Sequence, residues 1–269
     1  MPRLYLPIIH IERNPISITD EKARYLISVL RCRKGDDLVI FDGKGNCYRT
    51  TILKADRREV ITEVIEKFPC DTESHINITL VQGLLKGEKM DMVIQKTTEL
   101  GVKEIIPVVT ERSQLRETRK VARWRKIAEE ASRQSGRSVI SIIRESVEFN
   151  NIFATHALRE TLHGFIFYEE DGVKISEAVE ILKQRFHYTL PSPLPSREGK
   201  LPSPLVGEGK GEGGLFVVIG PEGGFTKEEI ALAKERGLLV TSLGKRILRA
   251  ETAAISAMTL VQYLLGDIG

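Results

Sequence analysis

An α/β protein with a parallel sheet, preceded by a small β-barrel, is the fold class that these 269 residues predict. Three observations carry it. Short strand patterns crowd residues 1–70 around tight turns. From Ile76 onward, apolar runs alternate with helix signals, the order that builds a parallel sheet with helices on its faces. Between Leu215 and Tyr263, strand, glycine loop and helix occur twice in succession.

In the first region, RLYLPII (3–9) reads as a strand. Thr19 or Asp20 caps a short helix through Leu30, with Ala23, Leu26, Ile27 and Leu30 on one face. Arg31, Arg33 and Lys34 crowd the turn before Gly35. Strands follow at Leu38–Phe41, Tyr48–Leu53 and Val60–Val64, with Asp42-Gly43 as the hairpin signal. The basic turns either touch phosphates or form an ordinary solvated surface.

The pattern changes near Phe68-Pro69-Cys70-Asp71. Ile78–Val81 is a strand ending at Gly83, and Met90–Leu100 is a helix stopped by Gly101. Ile105–Val109 is the next strand. A helix from about Thr118 carries Val121, Trp124, Ile127, Ala128 and Ala131 on one face. Its other face is basic, with nine Lys or Arg between Arg112 and Arg137. Phe165–Tyr168 is a strand, and Ile175–Lys183 a helix with Ser176 as a candidate cap. Residues 187–214 contain a direct repeat, LPSPLPSREGK and LPSPLVGEGK, whose Pro, Gly and Ser content predicts a disordered surface excursion. The GKGEGG run at 209–214 matches a dinucleotide fingerprint. It follows a repeat and precedes a strand, the wrong context, and is rejected.

Leu215–Ile219 then stops at Gly220-Pro221-Glu222-Gly223-Gly224. Thr226 and Glu229 form a capping box for the next helix. Leu238–Val240 leads through Leu243-Gly244 into Lys245–Glu251 and a final helix from Thr252, apolar nearly all round. Such a helix is enclosed by its own domain or by a second subunit. Two glycine loops at strand ends, one carrying Arg249 and Glu251, point to a ligand site, because parallel sheets bind ligands at the carboxyl ends of their strands.

Composition narrows the class. Net charge is +3, with 13 Lys and Arg against 10 Asp and Glu in residues 1–70, far below a nucleic-acid-binding tail. No run is long enough to span a bilayer and no signal peptide opens the chain, so a cytoplasmic protein with no membrane association is expected. Cys32, Cys47 and Cys70 are odd in number and far apart, which predicts reduced thiols. The five histidines (His10, His75, His156, His163, His187) are scattered, and no metal site is expected.

GPEGGFTKEEI (220–230) followed by LGKRILRAETAAISAM (243–258) closely resembles the SPOUT-class RNA methyltransferases. Within that class the chain is similar to the bacterial ribosomal RNA small subunit methyltransferase E family, the 16S rRNA uridine-N3 methyltransferases. RYLISVLRCRKGD (24–36), FDGKG (41–45), GEKMDMVIQKTTELGV (87–102), ERS (111–113) and SRQSGR (132–137) extend the likeness over almost the whole chain. The repeat insertion departs from the pattern but interrupts neither C-terminal motif.

The resemblance implies a PUA-like RNA-binding β-barrel over 1–70, then a trefoil-knotted SPOUT domain over 74–269 that forms a homodimer. It implies S-adenosylmethionine as cofactor and 16S rRNA, or the small ribosomal subunit, as partner. In this picture Gly220, Pro221, Glu222, Gly223, Gly224, Leu243, Gly244, Ile247, Leu248, Arg249 and Thr252 bind the cofactor. Arg249 stabilises negative charge on the uracil ring or holds a phosphate. Glu251 or Glu222 accepts the N3 proton, or either makes only a helix-start or loop hydrogen bond. Arg24, Arg31 and Arg33 on the barrel, with Lys86, Lys89, Arg112 and Arg137 near the site, contact RNA. Two other classes stay open: a non-catalytic RNA-binding protein that kept the fold, and a methyltransferase for transfer RNA or a ribose 2′-hydroxyl.

Overall fold

The computed structural model describes residues 1–7, 11, 14–155, 162–186 and 214–269. Ile8 and Ile9 of the first expected strand, His10, His156, His187 and the repeat at 187–213 lie outside them. The chain divides into two compact units: Met1–Glu73 with Arg125–Ile142, and Ser74–Trp124 with Ile143–Gly269.

The first unit is built on a five-stranded sheet in the order β1-β3-β4-β5-β2. Its strands are β1 (Arg3–Tyr5), β2 (Ile16–Thr19), β3 (Asp37–Phe41), β4 (Asn46–Ala55) and β5 (Glu59–Pro69). β1 pairs parallel with β3, and the remaining pairs are antiparallel. Register shifts along β4–β5, between Arg49 and Thr50 and between Ile52 and Lys54, bend the ribbon. The bend wraps it around a core of Ile16, Ile18, Leu26, Leu38, Ile40, Ile52 and Val60. The β3–β4 turn forms where Asp42-Gly43 predicts it. Gly43 and Gly45 take φ of +74° and +105°, and the Asp42 carboxylate accepts the amides of Lys44 and Asn46. The expected helix after Thr19 is α1 (Asp20–Arg24), continued by a π-helical turn, Tyr25–Val29.

The thiols differ from expectation. Cys47 and Cys70 form a disulfide, with Cα atoms 6.0 Å apart. Pairing of Cys47 with Phe68 across β4–β5 brings Cys70 alongside. Spacing along the chain carries no trace of that hairpin register. Cys32 remains a buried free thiol, and burial raises its pKa.

Arg137 corrects a second expectation. It belongs to the first unit and is 3% exposed. Its Nε and Nη2 donate to Glu73 Oε2 at 3.1 and 2.8 Å, and its Nη1 donates to Ser141 Oγ at 2.9 Å. Glu73 Oε1 also accepts the amides of Ser138 and Val139. This guanidinium is therefore structural and presents nothing to a phosphate. Arg137→Ala leaves the Glu73 carboxylate half-buried without its partner, and should cost about 3–5 kcal/mol of stability. Chemical denaturation measures it; a change below about 1 kcal/mol contradicts the assignment.

The second unit holds an eight-stranded sheet. Along its main path the order is β11-β13-β10-β12-β6-β7-β8, with β9 pairing β7. The strands are β6 (Ile78–Gly83), β7 (Glu104–Val109), β8 (Ile142–Ile143), β9 (Val147–Glu148), β10 (His163–Phe167), β11 (Val173–Lys174), β12 (Leu215–Ile219) and β13 (Leu239–Ser242). The pairs β6–β7, β6–β12, β10–β12, β10–β13, β11–β13 and β7–β9 are parallel. Every residue of β6 and β12 is buried, the continuous apolar signature of parallel strands covered on both faces.

Its helices are α2 (Lys89–Glu99), the first turn of α3 (Val121–Gln134), α4 (Phe149–Thr155), α5 (Ile175–Phe186), α6 (Lys227–Glu235) and α7 (Ala250–Leu265). Gly101, at φ +88°, ends α2 as its sequence predicts. The α6 capping box forms in full, with Glu229 N–H donating to Thr226 Oγ1 and Thr226 N–H to Glu229 Oε2. Ser176 is not a cap, because α5 already starts at Ile175. Helix α7 buries one side, including Ala254, Ala257, Met258, Val261 and Leu265, and leaves Tyr263 64% exposed.

Candidate functional site

Because neighbouring strands run parallel, the loops after β6, β7, β10, β12 and β13 leave the sheet at one edge. Those loops carry the predicted ligand residues of the second unit.

The loop after β12 is a turn closed by the Gly224 amide donating to the Pro221 carbonyl at 3.0 Å. Gly224 adopts φ +70°, a conformation that favours glycine. Gly223 is demanded by space: a Cβ there would lie 2.8 Å from the Arg112 carbonyl oxygen. Gly220 and Pro221 are buried, whereas Glu222 and Gly223 face solvent.

Glu222 does not stand free. Its Oε1 accepts the Lys86 amide at 3.2 Å and Lys89 Nζ at 3.0 Å. Burial pushes its carboxyl pKa up, but Lys89 and the amides of Glu222 and Lys86 outweigh that and hold it below the ordinary value. Lys89, expected to contact RNA, is paired with Glu222 and remains partly exposed. Lys86 contributes its backbone and keeps an exposed side chain.

The loop after β13 is looser. Gly244, at φ +108°, donates its amide to Ser242 Oγ at 3.1 Å. Gly244–Ile247 are exposed, and Ile247 reaches 88%. Arg249 is the N-cap residue of α7, with its side chain exposed and unpaired among the described residues. Thr252 is exposed in the first turn. Glu251 is 9% exposed, and its Oε2 has no hydrogen-bond partner among the described residues. An orphan carboxylate oxygen is rare in a folded protein, and its place in the first turn of a sixteen-residue helix partly offsets the cost of the charge.

After β7, the Glu111 amide donates to Glu229 Oε1, and Arg112 Nη1 lies 3.5 Å from the Gly223 carbonyl. After β10, the Glu169 carboxylate lies 3.4 Å from where a Gly224 Cβ would sit. Sequence reasoning passed over Glu169 and Gln82. Gln82 is fully buried, and its Nε2 donates to the carbonyls of Gly83 at 3.0 Å and Gly220 at 3.3 Å. Nothing in its local sequence marks it; only the β6–β12 pairing brings it to Gly220.

Arg24, Arg31 and Arg33 lie in the first unit. All three are exposed and none pairs with a carboxylate among the described residues. Among the described residues no group of three His, Cys, Asp or Glu could hold a metal ion, and no helix is long and apolar enough to cross a membrane.

The donor set fits a nucleoside-type cofactor on one count: Gln82 Oε1 and Glu251 Oε2 are buried polar atoms without partners among the described residues.

The family model for the RNA methyltransferase domain matches residues 72–262, and that for the RNA methyltransferase PUA domain matches residues 18–65. The ribosomal RNA small subunit methyltransferase E of Bacillus subtilis is 29% identical over 261 residues, spanning 94% of this chain and 92% of that protein. Its counterpart in Synechocystis is 30% identical over 251 residues, spanning 93% and 73%. A crystal structure of the Neisseria gonorrhoeae enzyme bound to S-adenosyl methionine is 30% identical, with a TM-score of 0.79 and full coverage of both chains. A methyltransferase from Legionella pneumophila, in complex with the same cofactor, is 30% identical with a TM-score of 0.76, over 98% of each chain.

Proposed function

Because the chain belongs to the RNA methyltransferase family, we propose that it transfers a methyl group from S-adenosylmethionine to N3 of a uridine in 16S ribosomal RNA. The observation that carries this reading is the pair of glycine loops at one sheet edge, with the orphan Glu251 carboxylate and the exposed Arg249 in the second.

When bound, the cofactor supplies an electrophilic methyl on a sulfonium, so positioning of an in-line attack does much of the work. The Gly220–Gly224 backbone would hold it, and Leu243, Gly244, Ile247 and Leu248 would contact its adenosine. Neutral uridine N3 is a poor nucleophile. Glu251 takes the N3 proton, directly or through water, because its Oε2 has no competing donor among the described residues. Glu222, already holding two donors at one oxygen, is the weaker choice. Arg249 stabilises the negative charge that develops on the uracil ring. N3 lies on the Watson–Crick edge, so the target base must be unpaired or extruded. Arg24, Arg31, Arg33, Lys86 and Arg112 contact RNA phosphates.

The same reading makes the second unit a trefoil knot and the protein a cytoplasmic homodimer. The face of α7 that carries Ile255, Thr259 and Tyr263 is half-buried to exposed in the single chain and is the natural seat of a second copy. Tyr263→Glu is expected to shift the protein from dimer toward monomer in analytical ultracentrifugation. An unchanged dimer removes α7 from the interface.

The activity is tested by nucleoside mass spectrometry of 16S rRNA from a strain lacking this protein. Loss of N3-methyluridine, restored by the intact chain, is the expected outcome; an unchanged profile overturns it.

A further inference from the structure

Three glycines among five residues make the 220–224 loop costly to order, and a loop that binds through its backbone must be ordered before the ligand arrives. Its single internal backbone hydrogen bond, from Gly224 to Pro221, does not suffice. The remaining tethers come from outside, and most come from the end of β6 and the segment that follows it.

At the first end, Gln82 Nε2 donates to the Gly220 carbonyl and to Gly83. A Cβ on Gly83 would strike the Pro221 backbone nitrogen, so backbone packs on backbone there. At the second end, the Lys86 amide and the Lys89 ammonium converge on Glu222 Oε1. Both carbonyl acceptors claim the Gln82 nitrogen, which leaves Oε1 buried without a donor among the described residues. For packing alone, Met or Leu fills that volume without an orphan acceptor.

We propose that Gln82 and Lys89 are positioning residues for the cofactor loop: Gln82 fixes the Gly220 carbonyl and Lys89 fixes Glu222, so the loop holds its binding conformation before the cofactor arrives. Glu222 is then an anchor, and its lowered pKa keeps it charged for that task. The inference rests on the cofactor assignment above, and it gives Lys89 a role distinct from RNA contact.

Calorimetry with S-adenosylmethionine on the full-length chain tests it, with thermal unfolding measured in parallel. Lys89→Glu and Glu222→Lys, both partly exposed sites, should each raise Kd about tenfold, and the double swap should return it to within about threefold of the starting protein. Gln82→Met should raise Kd by at least tenfold and raise the KM for the cofactor more than it lowers kcat. The single variants should keep Tm within a few degrees of the parent, which separates positioning from folding. If the Lys89 and Glu222 variants bind as tightly as the parent, or the swap restores nothing, the positioning role is overturned. If the parent protein itself does not bind S-adenosylmethionine, the cofactor assignment falls and this inference falls with it.

Discussion

Replacing Arg249 by alanine is expected to lower the methylation rate by about 10²–10³-fold, the usual loss when a preorganised charge stabiliser is removed. The Kd for S-adenosylmethionine should move only a few-fold. Two features support the split. Arg249 caps α7 through its backbone, with the Ala253 amide donating to its carbonyl at 2.8 Å, and alanine keeps that bond. Its guanidinium is exposed and free of ion pairs among the described residues, so little structure is lost with it. Single-turnover methylation of the small subunit, with calorimetry for the cofactor, reads both quantities. Normal methylation by the variant removes Arg249 from the chemistry.

Glu251→Gln should behave differently. Loss of a general base costs about 10²–10⁴-fold in rate. Stability should hold or rise, because the native carboxylate buries an oxygen without a partner among the described residues, a burden of about 1–3 kcal/mol that a neutral amide lightens. Activity falling while Tm holds or rises is the mark of a residue retained for function. A fall in Tm with activity intact would reassign Glu251 to capping the start of α7.

These residues were legible because the chemistry of turns is local. The positive φ of Gly224, the Thr226–Glu229 capping box and the Asp42-Gly43 hairpin each follow from a few adjacent residues, and each appears in the fold as read, whereas Gly223 is required by the distant Arg112 backbone. The fully buried runs of β6 and β12 announce a parallel sheet for the same reason. What stayed hidden depends on pairing between distant segments. Cys47 and Cys70 meet only through the β4–β5 register. Gln82 meets Gly220 only because β6 and β12 are neighbours, 138 residues apart in the chain. Arg137 looked like one more member of a basic run, yet a glutamate 64 positions earlier neutralises it in the interior. Charge counting along the chain cannot distinguish a displayed arginine from one already paired.

The return of Arg125–Ile142 to the first unit has a consequence for the order in which the protein matures. Domains of a growing chain usually fold from the N-terminus as they emerge during synthesis. Here Glu73 is made early, but the guanidinium and amides that satisfy it belong to residues 137–139. The N-terminal unit therefore waits, incomplete, while much of β6, α2 and β7 passes through the exit tunnel. A nascent chain stalled just after Glu73 should remain sensitive to protease, and resistance should appear only once Ile142 has cleared the ribosome.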